Sequence, residues 1–120
     1  MQIHIQSQGF TLTDALREHA EHRLRFGLTH ASDHIRRVKM RLSDINGPRG
    51  GADKRCSIVV TLENLPEVVI EDVENDLYVA IDRAADRVSR SVARCLERKR
   101  EQVAGQRPDL SLSEAPERAP

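Results

Sequence analysis

The sequence has little of what several classes of protein depend on. Its 120 residues include no Trp, one Tyr and two Phe, so we expect an aliphatic hydrophobic core. No stretch approaches the roughly 20 consecutive apolar residues of a membrane-spanning helix. The N-terminal segment alternates polar and apolar residues, whereas a signal peptide has a basic segment followed by an apolar run. We therefore expect a soluble cytoplasmic protein with no membrane partner.

Motifs for catalysis or metal binding are also lacking. Cys56 and Cys95 do not have the C-x-x-C spacing of zinc sites and are expected to be reduced, buried thiols. His19 and His22 are three residues apart, but no H-E-x-x-H motif or further cysteine accompanies them. No nucleophile elbow, P-loop or Rossmann glycine fingerprint occurs. We expect no metal, no cofactor, no small-molecule substrate and no enzymatic activity.

The spacing of apolar residues predicts four strands and two helices. Strict alternation indicates strands at about 2–7, 34–43, 55–63 and 67–73. Apolar residues three and four apart indicate one helix with Thr13 as its N-cap and another with Asn75 as its N-cap. The order β-α-β-β-β-α predicts an α+β fold in which both helices cover one face of a four-stranded sheet. This domain spans residues 1–102, and residues 103–120, poor in large apolar groups, are expected to form a disordered tail.

Five arginines follow one another on the second predicted helix at spacings of four, three, four and four residues. At about 100° per residue they fall within an arc of about 80°, on the flank of the apolar stripe. Like charges four residues apart repel each other, and Asp86, which is available to Arg90, offsets only part of that repulsion. Such a row suits a phosphate backbone, although a merely solvated helix face fits the pattern equally well. This arginine row consists of Arg83, Arg87, Arg90, Arg94 and Arg98.

Basic residues also alternate along the second predicted strand. Arg37, Lys39 and Arg41 share the strand face opposite the core. They could contact RNA, or they could simply solubilise the open face of the sheet. The glycine-rich loop at residues 47–55 could place backbone N–H groups against phosphate, but a flexible hairpin connection is at least as good an interpretation.

Three segments, in order, resemble the ribosome hibernation promoting factor family, which includes the ribosome-associated inhibitor A and carries an older label as sigma-54 modulation proteins. Met1–Ile5 is similar to the first strand of that family, and Thr13–Arg17 to the start of its first helix. Tyr78-Val79-Ala80-Ile81-Asp82 is similar to its Y-x-A-I-D segment. The resemblance covers about residues 1–102 and implies a β-α-β-β-β-α fold like that of double-stranded RNA-binding domains.

The resemblance also implies a function. Members of this family bind the small ribosomal subunit near its tRNA and mRNA sites and block translation in resting cells, as a stress response. Basic side chains of their helices contact ribosomal RNA. By position, this role is carried over to Arg83, Arg87, Arg90 and Arg94 on the second helix and, on the first, to Arg17 and to Arg23 or Arg25. The remaining candidates for RNA binding are Arg98 and the basic residues of the second strand.

Some features depart from the family pattern. Its best-studied members lack the glycine-rich loop, and acids rather than lysines open the second helix, which argues against general binding of duplex RNA. The 18 residues after residue 102 are too few for the C-terminal dimerisation domain of long members, so ribosome pairing through that domain is not expected. The alternative is a protein-interaction module, in which the open sheet face or a free edge strand binds a partner or a second copy of the chain.

Overall fold

The computed structural model describes residues 1–44 and 53–105, with side chains as far as residue 100. The elements are β1 (Gln2–Gln8), α1 (Asp14–Leu28), a short 3-10 helix (Thr29–His34), β2 (Ile35–Asp44), β3 (Lys54–Leu62), β4 (Val68–Glu74) and α2 (Leu77–Gly105). The predicted element order and the α+β class are confirmed. No helix within these ranges is long and apolar enough to span a membrane. Helix α2 extends three residues past the predicted boundary at 102, and the rest of the predicted tail lies outside the described residues.

The four strands form one mixed sheet in the order β1-β2-β3-β4. Strand β1 pairs in parallel with β2, whereas β2, β3 and β4 pair in antiparallel fashion. Parallel neighbours require a long connection, and α1 with the 3-10 helix provides it between β1 and β2. The sheet therefore has two edge strands, β1 and β4.

The two faces of the sheet have different environments because side chains alternate along each strand. Both helices lie on one face: α2 packs on β3 and β4, and α1 packs against α2 and β1. This face and the helices share one aliphatic core, as the scarcity of aromatic residues predicted. The fully buried core side chains include Leu24 and Leu28 from α1, Ile81, Val88 and Val92 from α2, and Val38, Met40, Leu42, Ile58 and Val60 from the sheet.

The N-terminus of each of the two α-helices, α1 and α2, is capped by a side chain. The predicted cap of α1 is confirmed, since the Thr13 hydroxyl accepts a hydrogen bond from the backbone N–H of Leu16 at 3.2 Å. In α2 the cap is Asp76 and not Asn75. The Asp76 carboxylate accepts hydrogen bonds from the N–H groups of Tyr78 at 2.7 Å and Val79 at 3.3 Å. Both residue types cap helices well, so the sequence alone favoured neither residue over its neighbour.

The corrected cap has a measurable consequence. Replacing Asp76 with Ala leaves two N–H groups of the first turn without their partner, and we expect the free energy of unfolding to fall by about 1 kcal/mol. The neighbouring Asn75→Ala variant is the matched control and should change it by less than about 0.5 kcal/mol. Urea unfolding followed by circular dichroism measures both values. A larger loss for the Asn75 variant would contradict this assignment.

Candidate nucleic-acid interface

The arginine row lies on the surface of α2, as the helical spacing predicted, and all five of its members are exposed. The structure divides the row according to what each guanidinium contacts. One group faces the acidic edge strand β4, and the other extends along the helix beyond it. This division follows from the tertiary packing of α2 on β4.

Arg83 and Arg87 are paired with β4. Arg83 lies 3.5 Å from the Glu74 carboxylate and Arg87 lies 3.8 Å from that of Asp72. Arg87 also donates a hydrogen bond of 2.8 Å to the backbone carbonyl of Glu71. Exposed ion pairs of this kind stabilise a fold by little, but they reduce the positive potential available to a polyanion. The contact with Glu71 also occupies an acceptor of a sheet edge, where unpaired backbone groups invite another strand.

Arg90 and Arg94 differ, because neither forms an ion pair within the described residues. Arg98 contacts only the sulfur of Cys95, at 3.5 Å, among the same residues. The acid that the sequence made available to Arg90 is Asp86, and in the structure Asp86 pairs with Arg23 instead. Among the described side chains of α2, the positive charge is therefore least compensated from Arg90 onward.

The basic residues of α1 also separate into two kinds. Arg17 and Arg25 are exposed and form no ion pair in the described part of the chain. Arg23 is only 27% exposed, and it bridges α1 to α2 through Asp82 at 3.1 Å and Asp86 at 2.9 Å. Arg23 thus holds the two helices in position. Of the candidates Arg23 and Arg25, Arg25 is the one whose guanidinium is free to bind a ligand.

The helices touch closely near the end of α1. A Cβ on Gly27 would lie 3.6 Å from the Cβ of Ser89, and the Ser89 hydroxyl donates a hydrogen bond of 2.6 Å to the Gly27 carbonyl. These contacts place the last turn of α1 beside Arg90, across a groove that Phe26 also lines. Arg25 is two residues from both Arg23 and Gly27, so it points about 200° away from these contacts with α2 and lies on the far flank of α1.

The sequence reasoning missed Phe26, whose side chain is 73% exposed. A signal for it was present. The buried stripe of α1 contains Leu24 and Leu28, and a residue two positions from each of them points about 200° away from the stripe. A large aromatic residue at such a position is expected to be solvent-exposed.

The basic residues of β2 lie on the opposite surface, the open face of the sheet. Arg37, Lys39 and Arg41 are all exposed there, as predicted, and Lys39 and Arg41 line a shallow depression. Arg55 on β3 borders the same depression and pairs with Glu71 at 3.6 Å. The helices cover the other face, so no single flat ligand contacts the arginine row and this basic strand together.

Most of the glycine-rich loop lies outside the described residues, and only its last three residues are seen. Asp53 is buried, and the ammonium group of Lys54 lies 3.0 Å from Asp44 and 3.4 Å from Asp53. The hydrogen bond to Asp44 raises the pKa of Lys54, and Asp53 acts in the same direction. Lys54 therefore stays protonated at the base of the loop, and its positive charge is balanced by the carboxylates of Asp44 and Asp53.

Among the described residues, no cluster of three or more His, Cys, Asp or Glu side chains that could hold a metal ion occurs. Both thiols are unpaired; Cys56 is buried in the core and Cys95 is partly exposed. Burial raises the pKa of Cys56 to about 12, and the negative charge of Asp72 adds to the effect. Cys56 consequently remains protonated and unreactive near neutral pH.

This difference predicts selective chemical labelling. At pH 8 we expect a thiol reagent to modify Cys95 in the folded protein and to leave Cys56 unmodified. Only a very small fraction of Cys56 is in the reactive thiolate form, and its buried position keeps the reagent away from it. Unfolding in urea should make both thiols react. Mass spectrometry of the folded Cys95→Ser variant provides the control, and rapid labelling of that variant would contradict the buried position of Cys56.

Comparison with known proteins agrees with this architecture. The family model described as sigma 54 modulation protein / S30EA ribosomal protein matches residues 3–100. The N-terminal domain of Protein Y from Thermus thermophilus is 32% identical, with a TM-score of 0.65, and the match covers 78% of this chain and 98% of that domain. A ribosomal subunit interface protein from Coxiella burnetii shares the fold at 21% identity and a TM-score of 0.68, over 78% of this chain and 96% of that one. Comparison with curated proteins gave no significant match.

Proposed function

The chain belongs to the sigma 54 modulation protein / S30EA ribosomal protein family, and we propose that it binds the small ribosomal subunit and silences translation. The names of the similar solved structures support an association with ribosomes, since one is a ribosomal subunit interface protein. Docking on the small subunit through ribosomal RNA is the more specific part of the proposal. It rests on the distribution of charge over the two helices.

One observation carries the proposal: Arg90 and Arg94 are exposed and have no carboxylate partner within the described residues, next to the end of α1. Unpaired guanidinium groups on a rigid helix suit phosphate oxygens, because a guanidinium can donate two parallel hydrogen bonds. Formal net charge is zero for the whole chain, so attraction to RNA depends on this local surface. Arg17 and Arg25 add exposed positive charge on the flank of α1 that points away from α2.

The basic strand has a different place in this proposal. Arg37, Lys39 and Arg41 face away from the helices and would contact RNA only if the ligand also lies against the open face of the sheet. A cleft in a large ribonucleoprotein has RNA on two sides and would meet this condition. We therefore assign the primary RNA contact to the helices and a secondary contact to β2.

A cell-free bacterial translation system tests the proposed silencing. Purified protein, titrated from below to above the ribosome concentration, should reduce synthesis of a reporter in proportion to the fraction of ribosomes bound. Preloading the ribosomes with mRNA and initiator tRNA should weaken the inhibition if the sites overlap. Undiminished synthesis at a tenfold excess of protein would contradict a silencing role.

A second candidate function, self-association through the sheet, is favoured by the order of charges on its open face. The β2 residues there are basic, whereas Glu71 on β4 and Glu67 just before it are acidic, so two copies related by a two-fold axis could pair opposite charges. Light scattering at low and high salt tests this candidate. A monomer at all concentrations and salts would exclude it.

A further inference from the structure

An exposed aromatic ring stands at the end of α1, beside the basic surface. Phe26 is the most exposed large apolar side chain of the described residues. Its ring is stacked nearly parallel to that of His22, at 15° and 6.3 Å between centroids. A single exposed apolar residue is common on protein surfaces and alone carries no conclusion. The surroundings of this ring give it a specific chemistry.

The ring borders a groove between the two helices. The groove is lined by Phe26, Gly27, Ala85, Ser89 and Arg90, with the Arg23–Asp86 pair at one end. The one carboxylate among the lining residues belongs to Asp86. It lies 2.9 Å from the Arg23 guanidinium, which compensates its negative charge. Arg90 on the opposite wall has no such partner among the described residues. The groove thus combines an aromatic face with an uncompensated guanidinium.

These features match a nucleotide better than an apolar protein side chain. The exposed residues that stack on Phe26 or line its groove, namely His22, Asp86 and Arg90, are polar or charged, so the described residues form no continuous apolar patch there for a protein partner. Every nucleobase has a π-face that can stack on an aromatic ring, whatever its sequence. A guanidinium on the facing wall can at the same time bind the phosphate of that nucleotide. Sequence-independent contacts with single strands commonly combine these two interactions.

We propose that Phe26 and Arg90 bind one unpaired nucleotide of ribosomal RNA, with its base stacked on the Phe26 ring and its phosphate at Arg90. The proposal rests on the proposed function, and it adds that the RNA segment in contact includes a base outside a helix. Base-paired RNA alone would offer phosphates to Arg90 but no exposed base face to Phe26.

The absence of Trp from the sequence provides a direct test. The F26W variant carries a single indole at the groove, and stacking with a nucleobase should quench its fluorescence when purified small ribosomal subunits are added. The control variant V69W carries its indole on the open sheet face, where Val69 is 63% exposed. We expect strong quenching for F26W and clearly weaker quenching for V69W, because only the secondary contact of β2 lies on the open face. Quenching of both to the same extent would overturn the proposal.

Two outcomes separate this proposal from the proposed function. If F26W sediments with the subunits but its emission is unchanged, or shifts to the blue without quenching, the ring contacts solvent or protein and the proposed stacking is wrong. If the unmodified chain does not bind the subunits at all, the proposed function fails and this inference fails with it.

Affinities provide a second readout. The F26Y variant keeps the stacking face and should bind subunits like the unmodified chain. The F26L variant keeps an apolar side chain without a ring and should bind roughly 5- to 150-fold more weakly. Since the side chain is mostly exposed, neither change should alter the fold. Equal affinity of F26L and F26Y would overturn the proposal.

Discussion

Replacing Arg90 and Arg94 together with Ala is expected to weaken binding to the small ribosomal subunit by roughly 30-fold or more at low salt. Charge-assisted hydrogen bonds contribute about 1.5–3 kcal/mol each. A 30-fold loss corresponds to about 2 kcal/mol for the two together, a lower bound that allows for the screening of exposed contacts by solvent. Each lost phosphate contact should also reduce the slope of log affinity against log salt by about 1. A salt titration of both proteins by fluorescence anisotropy measures the two effects together.

The matched control is the double Ala variant at Arg83 and Arg87. It removes the same number of charges from the same helix, but these two side chains already contact Glu74, Asp72 and Glu71 on β4. We expect less than a fivefold loss of affinity, since only long-range attraction is reduced. An equal or larger loss than in the Arg90 and Arg94 variant would show that the ion pairs with β4 do not decide which arginines bind RNA.

Replacing Ile58 with Ala is expected to lower the free energy of unfolding by about 2–5 kcal/mol. Ile58 is fully buried on β3, beneath α2, so truncation leaves a cavity in the centre of the core. A domain of this size has a total stability of only about 5–15 kcal/mol, so the variant should unfold at a much lower urea concentration. Urea unfolding monitored by circular dichroism gives the value.

The adjacent Val59 provides the control for that substitution. It lies on the open face of the same strand and is only partly buried. Val59→Ala should lower stability by less than about 1 kcal/mol, because the methyl groups are removed from an open face and leave no enclosed cavity. Equal losses at the two positions would mean that both faces of the sheet are covered, for instance by a second copy of the chain.

The local elements could be predicted from the sequence because each depends on short-range periodicity. Cys56, Ile58, Val60 and Leu62 alternate along β3, and all four are buried as the pattern indicated. The apolar spacing that predicted α1 corresponds to its buried residues Leu16, Ala20, Leu24 and Leu28. The parallel pairing of β1 with β2 was not predicted, because alternation fixes the faces of a strand but not its neighbours.

The candidate interface was predicted only in part, because its properties depend on long-range contacts. Helical spacing placed the arginine row on one surface, and all five residues are exposed. Which of them is neutralised depends on β4, whose acids lie 9 to 16 residues away in sequence from Arg83 and Arg87. The same holds for Arg23, whose partners Asp82 and Asp86 lie on the other helix. No periodicity in a single element contains that information.

The central claim is most directly tested by co-sedimentation of the purified chain with isolated small and large ribosomal subunits, at low and moderate salt. The account predicts binding to the small subunit at close to one copy each, with affinity that falls steeply as salt rises. Absence of binding to the small subunit at low salt, or equal binding to both subunits, would contradict it.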